Sequence, residues 1–183
     1  MLCRQKSPMR KILFILGFLL AIFGFTPSYA DVIENIKINI PQAEPVGKGR
    51  LTWMFWDVYD ATLYAPQGHY DLTKPFALSL TYLRDIEGRD IADTSAEEMR
   101  RIGMKDEVTL ATWHSQMRQI FPDVAQGKNI TGVYQPNGTS IFYADGVEIG
   151  RLNDAEFGRY FFDIWLSDKT QKPTLRAQLL GSK

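Results

Sequence analysis

Cysteine is almost absent from the sequence. The one cysteine, Cys3, lies near the N-terminus, and residues 31–183 contain none. Disulfides, thiolate catalysis and cysteine-ligated metal sites are therefore excluded for that part of the chain. Histidine is nearly as scarce, because His69 and His114 are the only two and neither shows the spacing to a second ligand that metal motifs have. The sequence predicts no metal and no other cofactor.

Recognisable catalytic motifs are also missing. No Gly-x-Ser-x-Gly elbow of a serine hydrolase occurs. The pair Gly47 and Gly49 is too short and wrongly placed for a dinucleotide-binding loop, which needs a strand before it and a helix after it. The carboxylates of the predicted helices occupy first-turn positions, where they complement the helix dipole and stay solvated. The chain is therefore predicted not to be an enzyme of a common hydrolytic or redox class.

Neither sign of charge is concentrated in a block. The whole chain has 21 lysine and arginine residues and 21 aspartate and glutamate residues. Four of the basic residues lie within residues 1–30, so the remainder has 17 basic and 21 acidic residues and a net charge of −4. Without a basic patch the chain has no electrostatic footprint for nucleic acid, nor one that would hold it on an anionic membrane.

Only one long apolar run occurs, and it lies near the N-terminus. Basic residues precede the run from Ile12 to Phe25, and the small residues Ser28 and Ala30 follow it. This order is typical of a secretory signal peptide, with cleavage predicted after Ala30. The run is shorter than the roughly 20 residues of a membrane-spanning helix, so an uncleaved anchor is the less favoured alternative. After cleavage we expect no stable membrane anchor.

The predicted export and the lack of cysteine together indicate a compartment. Small domains exported through the endoplasmic reticulum usually carry disulfides, whereas residues 31–183 can form none. We therefore predict that the protein works in a bacterial periplasm.

Residues 31–183 have the length of one domain. Residues 31–45 are expected to form a lead-in strand or arm, and residues 46–181 the domain itself. The β-branched and aromatic run over residues 47–65 is too long for one flat strand, so it either bends near Asp57 or turns there into a second strand. Residues 76–84 alternate between apolar faces as a strand does.

Helical patterns occupy the middle and the end of the chain. Capping-box spacings within residues 94–98 predict a helix that ends near Ile102. Residues 106–121 carry the apolar stripe of a second helix. Two further helices are predicted, one capped by Asp154 and one beginning at Pro173.

Two tight turns lie between these helical regions. The pairs Asn137-Gly138 and Asp145-Gly146 accept the positive φ angles of hairpin turns and predict three antiparallel strands over residues 130–152. The predicted fold class is α+β, with an antiparallel sheet and helices packed mainly on one side.

The residues that best indicate a binding site are aromatic and cationic. They lie on the early strands: Arg50, Trp53, Tyr59, Tyr64 and Tyr82. Arginine forms bidentate pairs with carboxylates, and most ligand pockets are largely apolar, so these residues fit a cleft for an amphipathic anion. In the alternative interpretation, the aromatic side chains are ordinary core and the arginine is solvated.

Several short motifs in order along the chain resemble the chalcone isomerase-like family, in its bacterial exported branch. They are GKGRL (47–51), VYDATLYA (58–65), FALSLTYLRDI (76–86), FPDV (121–124), IWL (164–166) and PTLRAQLLG (173–181). The likeness covers about residues 46–181. It implies an open-faced antiparallel sheet packed against helices.

The resemblance implies function less directly than fold. Plant members close a flavonoid ring with an arginine before the first long strand, a threonine on it, and a tyrosine and an asparagine near the first helix. Here Arg50 lies near the arginine position and Tyr59 near the threonine position, while Ile91 and Glu98 replace the other two. Another branch of the family binds fatty acids without catalysis and holds the carboxylate with an arginine and a tyrosine.

Three functions are compatible with these residues. The first is a non-catalytic periplasmic binding protein for a fatty acid or similar hydrophobic carboxylate. Arg50 would pair with the head group, Tyr59 and Tyr64 would supply hydroxyls, and Trp53 and Tyr82 would form apolar wall. The second is an isomerase or intramolecular lyase acting on an unsaturated carbonyl compound, in which Arg50 stabilises an enolate. The third is a structural module of the envelope that binds a protein.

Overall fold

The computed structural model describes residues 29–181. Apart from its last two residues, the predicted signal peptide lies outside the described residues. The elements are α1 (Tyr29–Asn39), β1 (Ala43–Trp53), β2 (Trp56–Pro66), β3 (Phe76–Tyr82), α2 (Gly88–Ile102), α3 (Glu107–Ile120), β4 (Asn129–Tyr134), β5 (Thr139–Ala144), β6 (Val147–Asn153), α4 (Ala155–Leu166) and α5 (Pro173–Leu179).

The six strands form one sheet in the order β1-β2-β3-β4-β5-β6, and every neighbouring pair is antiparallel. Helices α2 and α3 connect β3 to β4. The predicted α+β class with an antiparallel sheet is confirmed. The long apolar run of residues 47–65 is two strands, and the chain turns at Met54 and Phe55 rather than at Asp57.

The two faces of the sheet pack against different elements. The face that we call the helix-side face packs against α2, α3, α4 and α5 and contains the larger apolar core. Its strand residues include Leu63, Phe76 and Phe142, all fully buried. The opposite face, which we call the α1 face, carries a second apolar cluster with α1.

Helix α1 corrects the expectation of a lead-in strand or arm over residues 31–45. Residues 29–39 are helical, and only Ala43 to Pro45 belong to a strand. Val32, Ile36 and Ile40 are buried against the α1 face, at the four-residue spacing of one helix side. That spacing is present in the sequence and indicates a helix, although Pro41 and Pro45 just after it favour an extended segment.

The predicted start of α2 is also wrong. The helix begins at Gly88, whose amide N–H donates to the Asp123 carboxylate at 2.8 Å, so the cap comes from a distant residue. The capping-box residues lie inside the helix, and Ser95 is buried there with its hydroxyl donating to the Ile91 carbonyl. By contrast, Asp106 and Asp154 cap α3 and α4 as predicted, since each carboxylate accepts from two amides of the first turn.

Two glycines allow α5 to approach β1 very closely. A Cβ added at Gly47 would lie 2.1 Å from the Gln178 carbonyl oxygen and 2.6 Å from that of Leu179. At Gly49 it would lie 2.2 Å from the Gln178 side chain. The first and last motifs of the family resemblance, residues 47–51 and 173–181, therefore meet in space and need glycine on the strand.

Replacing Gly47 by alanine is expected to destabilise the fold by about 1–3 kcal/mol, because the methyl group collides with backbone rather than with a flexible side chain. Urea unfolding measures this change. The exposed neighbour provides the control: Lys48→Ala is expected to change stability by less than about 0.5 kcal/mol. Equal stability of the two variants would contradict the close docking of α5.

Candidate functional site

The predicted head-group ligand, Arg50, lies in an exposed ion cluster. Its Nε and Nη2 donate to the Asp60 carboxylate at 2.6 and 2.9 Å, and its Nη1 donates to Asp57 at 2.7 Å. Hydrogen bonds from Thr52 and then from Arg50 lower the pKa of Asp57 below its usual value. The guanidinium is thus occupied by two carboxylates of its own chain while about half of the side chain remains in solvent (48% exposed).

Arg50 and Tyr59 project from opposite faces of the sheet. Arg50 pairs with Asp60 across β1 and β2, and Tyr59 is the next residue along β2. Successive strand residues point to opposite faces. Tyr59 lies in the core of the helix-side face, whereas Asp60 shares the α1 face with Tyr64. The expectation of one cleft lined by Arg50 and Tyr59 is therefore wrong.

The other three predicted residues are also separated. Trp53 is exposed at the end of β1, where the Lys172 ammonium lies 4.3 Å from its ring centroid. Tyr82 is buried on the helix-side face, directly opposite Tyr59 in the register of β2 and β3. Tyr64 is buried in the second apolar cluster on the α1 face. Of the five predicted site residues, Tyr59 and Tyr82 are in contact with each other.

Tyr59 and Tyr82 form what we call the tyrosine pair. Their ring centroids are 5.8 Å apart in an edge-to-face arrangement. Trp165 of α4 donates from its indole Nε1 to the Tyr59 hydroxyl oxygen at 2.8 Å. Within residues 29–181, neither tyrosine hydroxyl donates to an acceptor. Among the described residues, Ser140 Oγ is the only buried side-chain polar atom without any hydrogen-bond partner, so the tyrosine hydroxyls are not orphaned groups of that kind. Each hydroxyl nevertheless keeps an O–H that it can donate to a ligand.

Both hydroxyls are protonated at neutral pH, as an ordinary tyrosine is, and burial reinforces this state. Burial raises the pKa of Tyr59 and the pKa of Tyr82 well above their usual value. The negative charge of Glu98 on α2 raises the pKa of Tyr59 further. Glu98 is largely buried and pairs with Arg101. The tyrosine pair can therefore donate hydrogen bonds at neutral pH. The negative charge of Glu98 adds to the rise in the pKa of Tyr59.

Apolar residues surround the tyrosine pair. The next positions on the same face of β2 and β3 are Ala61 and Leu80, which are paired in register. Ala92 and Met99 of α2 belong to the same buried cluster. The arrangement combines an apolar enclosure with two fixed hydroxyl donors, which is the composition of a site for a mainly apolar ligand with one oxygen-bearing end.

A separate cleft of about 260 Å³ lies between α2 and α3. Its walls carry two close polar pairs: His114 Nε2 lies 2.6 Å from Asp93, and Arg100 lies 2.7 Å from Glu107. A contact with His114 lowers the pKa of Asp93. A second, shallower depression lies on the outer side of α3. None of the five predicted site residues lines either of these depressions.

The described residues form neither a metal site nor a membrane-spanning helix. Within residues 29–181, no group of three or more histidine, cysteine, aspartate or glutamate side chains is placed to hold a metal ion. No helix of that part of the chain is both long enough and apolar enough to cross a membrane.

The antiparallel sheet packed against helices defines an α+β domain. Residues 46–181 match the chalcone isomerase-like family, and the chain belongs to that family. It is 29% identical over 139 residues to a protein of Haemophilus influenzae, covering 75% of this chain and 68% of that one.

The fold also resembles a solved structure. The crystal structure of a fatty-acid binding protein from Arabidopsis thaliana superposes with a TM-score of 0.59, covering 76% of this chain and 87% of that chain. Only 13% of the aligned residues are identical, so this likeness shows the fold alone.

Proposed function

We propose that the protein is a non-catalytic binding protein for a fatty acid or a similar hydrophobic carboxylate. The observation that carries the proposal is the tyrosine pair, whose two hydroxyls donate to no acceptor within the described residues. A carboxyl group offers oxygen acceptors for both donors, and satisfying buried polar groups favours binding. The acyl chain would lie between the β2–β3 part of the sheet and helices α2 and α4.

This proposal assigns the head group to the tyrosine pair instead of Arg50. The Arg50 guanidinium is already occupied by Asp57 and Asp60 and lies on the α1 face. The family comparison agrees with a binding role, because the Arabidopsis protein of the same fold is named as a fatty-acid binding protein. Ile91 and Glu98, which stand where the resemblance places the tyrosine and the asparagine of the ring-closing enzymes, disfavour catalysis.

Export to the periplasm forms part of the proposal. Cleavage after Ala30 would leave Asp31 at the start of α1, where a negative charge complements the helix dipole. It would also leave the buried side of α1 complete, because Val32 is the first residue of that side.

Native mass spectrometry of protein expressed with its full N-terminus and purified from a bacterial periplasm tests the proposal. We expect an intact mass that begins at Asp31 and a population carrying acyl chains, released by solvent extraction. Arg50→Ala should retain these chains. Protein without any acyl chain, at a mass that confirms correct cleavage, would contradict the proposed ligand.

Glu98 provides a second test, since its negative charge acts on Tyr59 and would repel a carboxylate bound there. Glu98→Gln is expected to strengthen fatty-acid binding by about 5- to 30-fold at neutral pH, because it removes a repulsion of order 1–2 kcal/mol. Displacement of a fluorescent fatty acid measures the affinity. Glu97→Gln is the matched control: Glu97 also pairs with Arg101 but is exposed, so it should change little. Equal affinities of the two variants would place the head group elsewhere.

The isomerase alternative has a direct test. Incubation with chalcones, followed through the enone absorbance, is expected to show only the spontaneous rate of ring closure. Acceleration that is lost in Tyr59→Phe would favour an enzyme over a binding protein.

A structural or interaction module is favoured by a different observation. Neither of the two surface depressions is lined by Arg50, Tyr59 or Tyr82. An interaction role would therefore depend on the exterior of the domain. The most exposed apolar part of that exterior is the turn between β1 and β2.

A further inference from the structure

Four consecutive large apolar residues are exposed at one end of the molecule. They form the turn between β1 and β2 and are called here the hairpin tip: Trp53 (58% exposed), Met54 (75%), Phe55 (91%) and Trp56 (64%). Large apolar side chains contiguous on a surface mark a site of interaction, since burying them would be favourable.

The other two tight turns of the sheet differ from the hairpin tip in composition. The β4–β5 and β5–β6 turns use Asn137-Gly138 and Asp145-Gly146, which are polar and suited to positive φ. At the hairpin tip, Met54 has a φ of 55°, a value that favours glycine there. The hairpin tip therefore exposes large apolar side chains and holds Met54 in an unfavourable backbone conformation. Neither feature stabilises the fold, which indicates a functional reason for both.

Two cations flank the hairpin tip without acidic partners. The Lys172 ammonium lies 4.3 Å from the Trp53 ring centroid, and the Arg84 guanidinium lies 5.5 Å from that of Trp56. Neither cation forms an ion pair with another residue of the described chain. The other cation near the turn, Arg50, is already paired with two carboxylates. Lys172 and Arg84 are therefore available to anions outside the protein.

We propose that the hairpin tip inserts into the interfacial region of a lipid bilayer. Tryptophan favours the level of the lipid head groups, which suits Trp53 and Trp56, while Met54 and Phe55 at the apex would reach the upper acyl region. Lys172 and Arg84 stand where they would meet lipid phosphates. A bilayer fits better than a protein groove because two cations without ion-pair partners in the described chain accompany an exposed apolar apex.

This membrane contact goes beyond ligand binding and does not depend on it. The attachment is peripheral and reversible, because one two-residue apex buries far less apolar surface than a spanning helix. It also needs no basic patch, since apolar insertion supplies the main driving force and the two cations add to it.

Cosedimentation with vesicles of phosphatidylethanolamine and phosphatidylglycerol tests the proposal. Wild type is expected to bind with a blue shift of tryptophan fluorescence. The double variant Met54→Gly/Phe55→Asn should lose at least about tenfold in partition coefficient, because it removes the apolar apex. The variant should still fold, since glycine suits the positive φ at position 54. Its thermal unfolding temperature checks this.

The control variant is Val108→Ser, which alters another exposed apolar side chain, on α3. It should bind vesicles like wild type. Equal partition of wild type and the hairpin variant, or no binding by either, would overturn the proposal. A dimer that depends on Met54 and Phe55 and forms without lipid would overturn it in favour of a second copy as the partner. Fatty-acid binding in solution should be the same in wild type and the hairpin variant, which separates this test from that of the proposed function.

Discussion

Replacing Ile36 by alanine is expected to lower the free energy of unfolding by about 2–5 kcal/mol, the usual cost of removing most of a buried isoleucine side chain. Ile36 lies on α1, is 1% exposed and packs in the second apolar cluster with Val133 and Ile141 of the sheet. Chemical unfolding of the protein over residues 31–183 measures the change. A loss of this size would show that residues before the family match are part of the folded unit.

Ile38 offers a matched control on the same helix. It is 71% exposed, only two residues from Ile36, and the same substitution removes the same atoms. Ile38→Ala should leave stability within about 0.5 kcal/mol of wild type, with a small gain possible from the better helix propensity of alanine. If both variants lose little, α1 does not pack on the sheet as described.

The second large effect is expected in ligand binding. Tyr59→Phe and Tyr82→Phe each remove one O–H donor, and hydrogen bonds to charged groups contribute about 1.5–3 kcal/mol. Each variant should therefore bind a fatty acid about 10- to 100-fold more weakly. Displacement of a fluorescent fatty acid measures the loss. Stability should fall little in Tyr82→Phe, because its hydroxyl has no hydrogen-bond partner within the described residues.

Tyr143→Phe is the control for the tyrosine pair. Tyr143 is also buried, but it lies on the α1 face, where its hydroxyl accepts from Asn39 at 3.0 Å. Its substitution should reduce stability slightly and leave fatty-acid affinity unchanged. Affinity that falls equally in Tyr143→Phe and Tyr82→Phe would point to a general loosening of the fold rather than to contact with the ligand.

Local patterns predicted most of the secondary structure. The alternation of residues 76–82 places Phe76, Leu78 and Tyr82 on the helix-side face as expected. The two Gly-containing turns lie where their residues predicted positive φ angles. These features depend on neighbours in sequence, which is why the sequence alone contains the information.

Features that depend on distant residues were predicted less well. The start of α2 is fixed by Asp123, which lies 35 positions away from Gly88, so no local capping pattern reveals it. The turn at Met54 and Phe55 lacks the usual turn residues and was therefore placed too late. Helix α1 was missed although the spacing of Val32, Ile36 and Ile40 predicts it.

The candidate site shows the same limit more strongly. The sequence places Arg50 and Tyr59 on neighbouring strands, and their types match a carboxylate site. The β1–β2 register determines which face of the sheet each side chain occupies. This register pairs Arg50 with Asp60, and it is irregular between Leu51 and Thr52. The contact of Trp165 with Tyr59 joins residues 106 positions apart and had no signal in the sequence.

A crystal structure of the protein with a bound long-chain fatty acid would locate the head group and the acyl chain. We expect carboxyl oxygens within about 2.5–3.0 Å of the Tyr59 and Tyr82 hydroxyls, with the acyl chain between the sheet and helices α2 and α4. A head group bound at Arg50, or an acyl chain in the cleft between α2 and α3, would contradict this expectation.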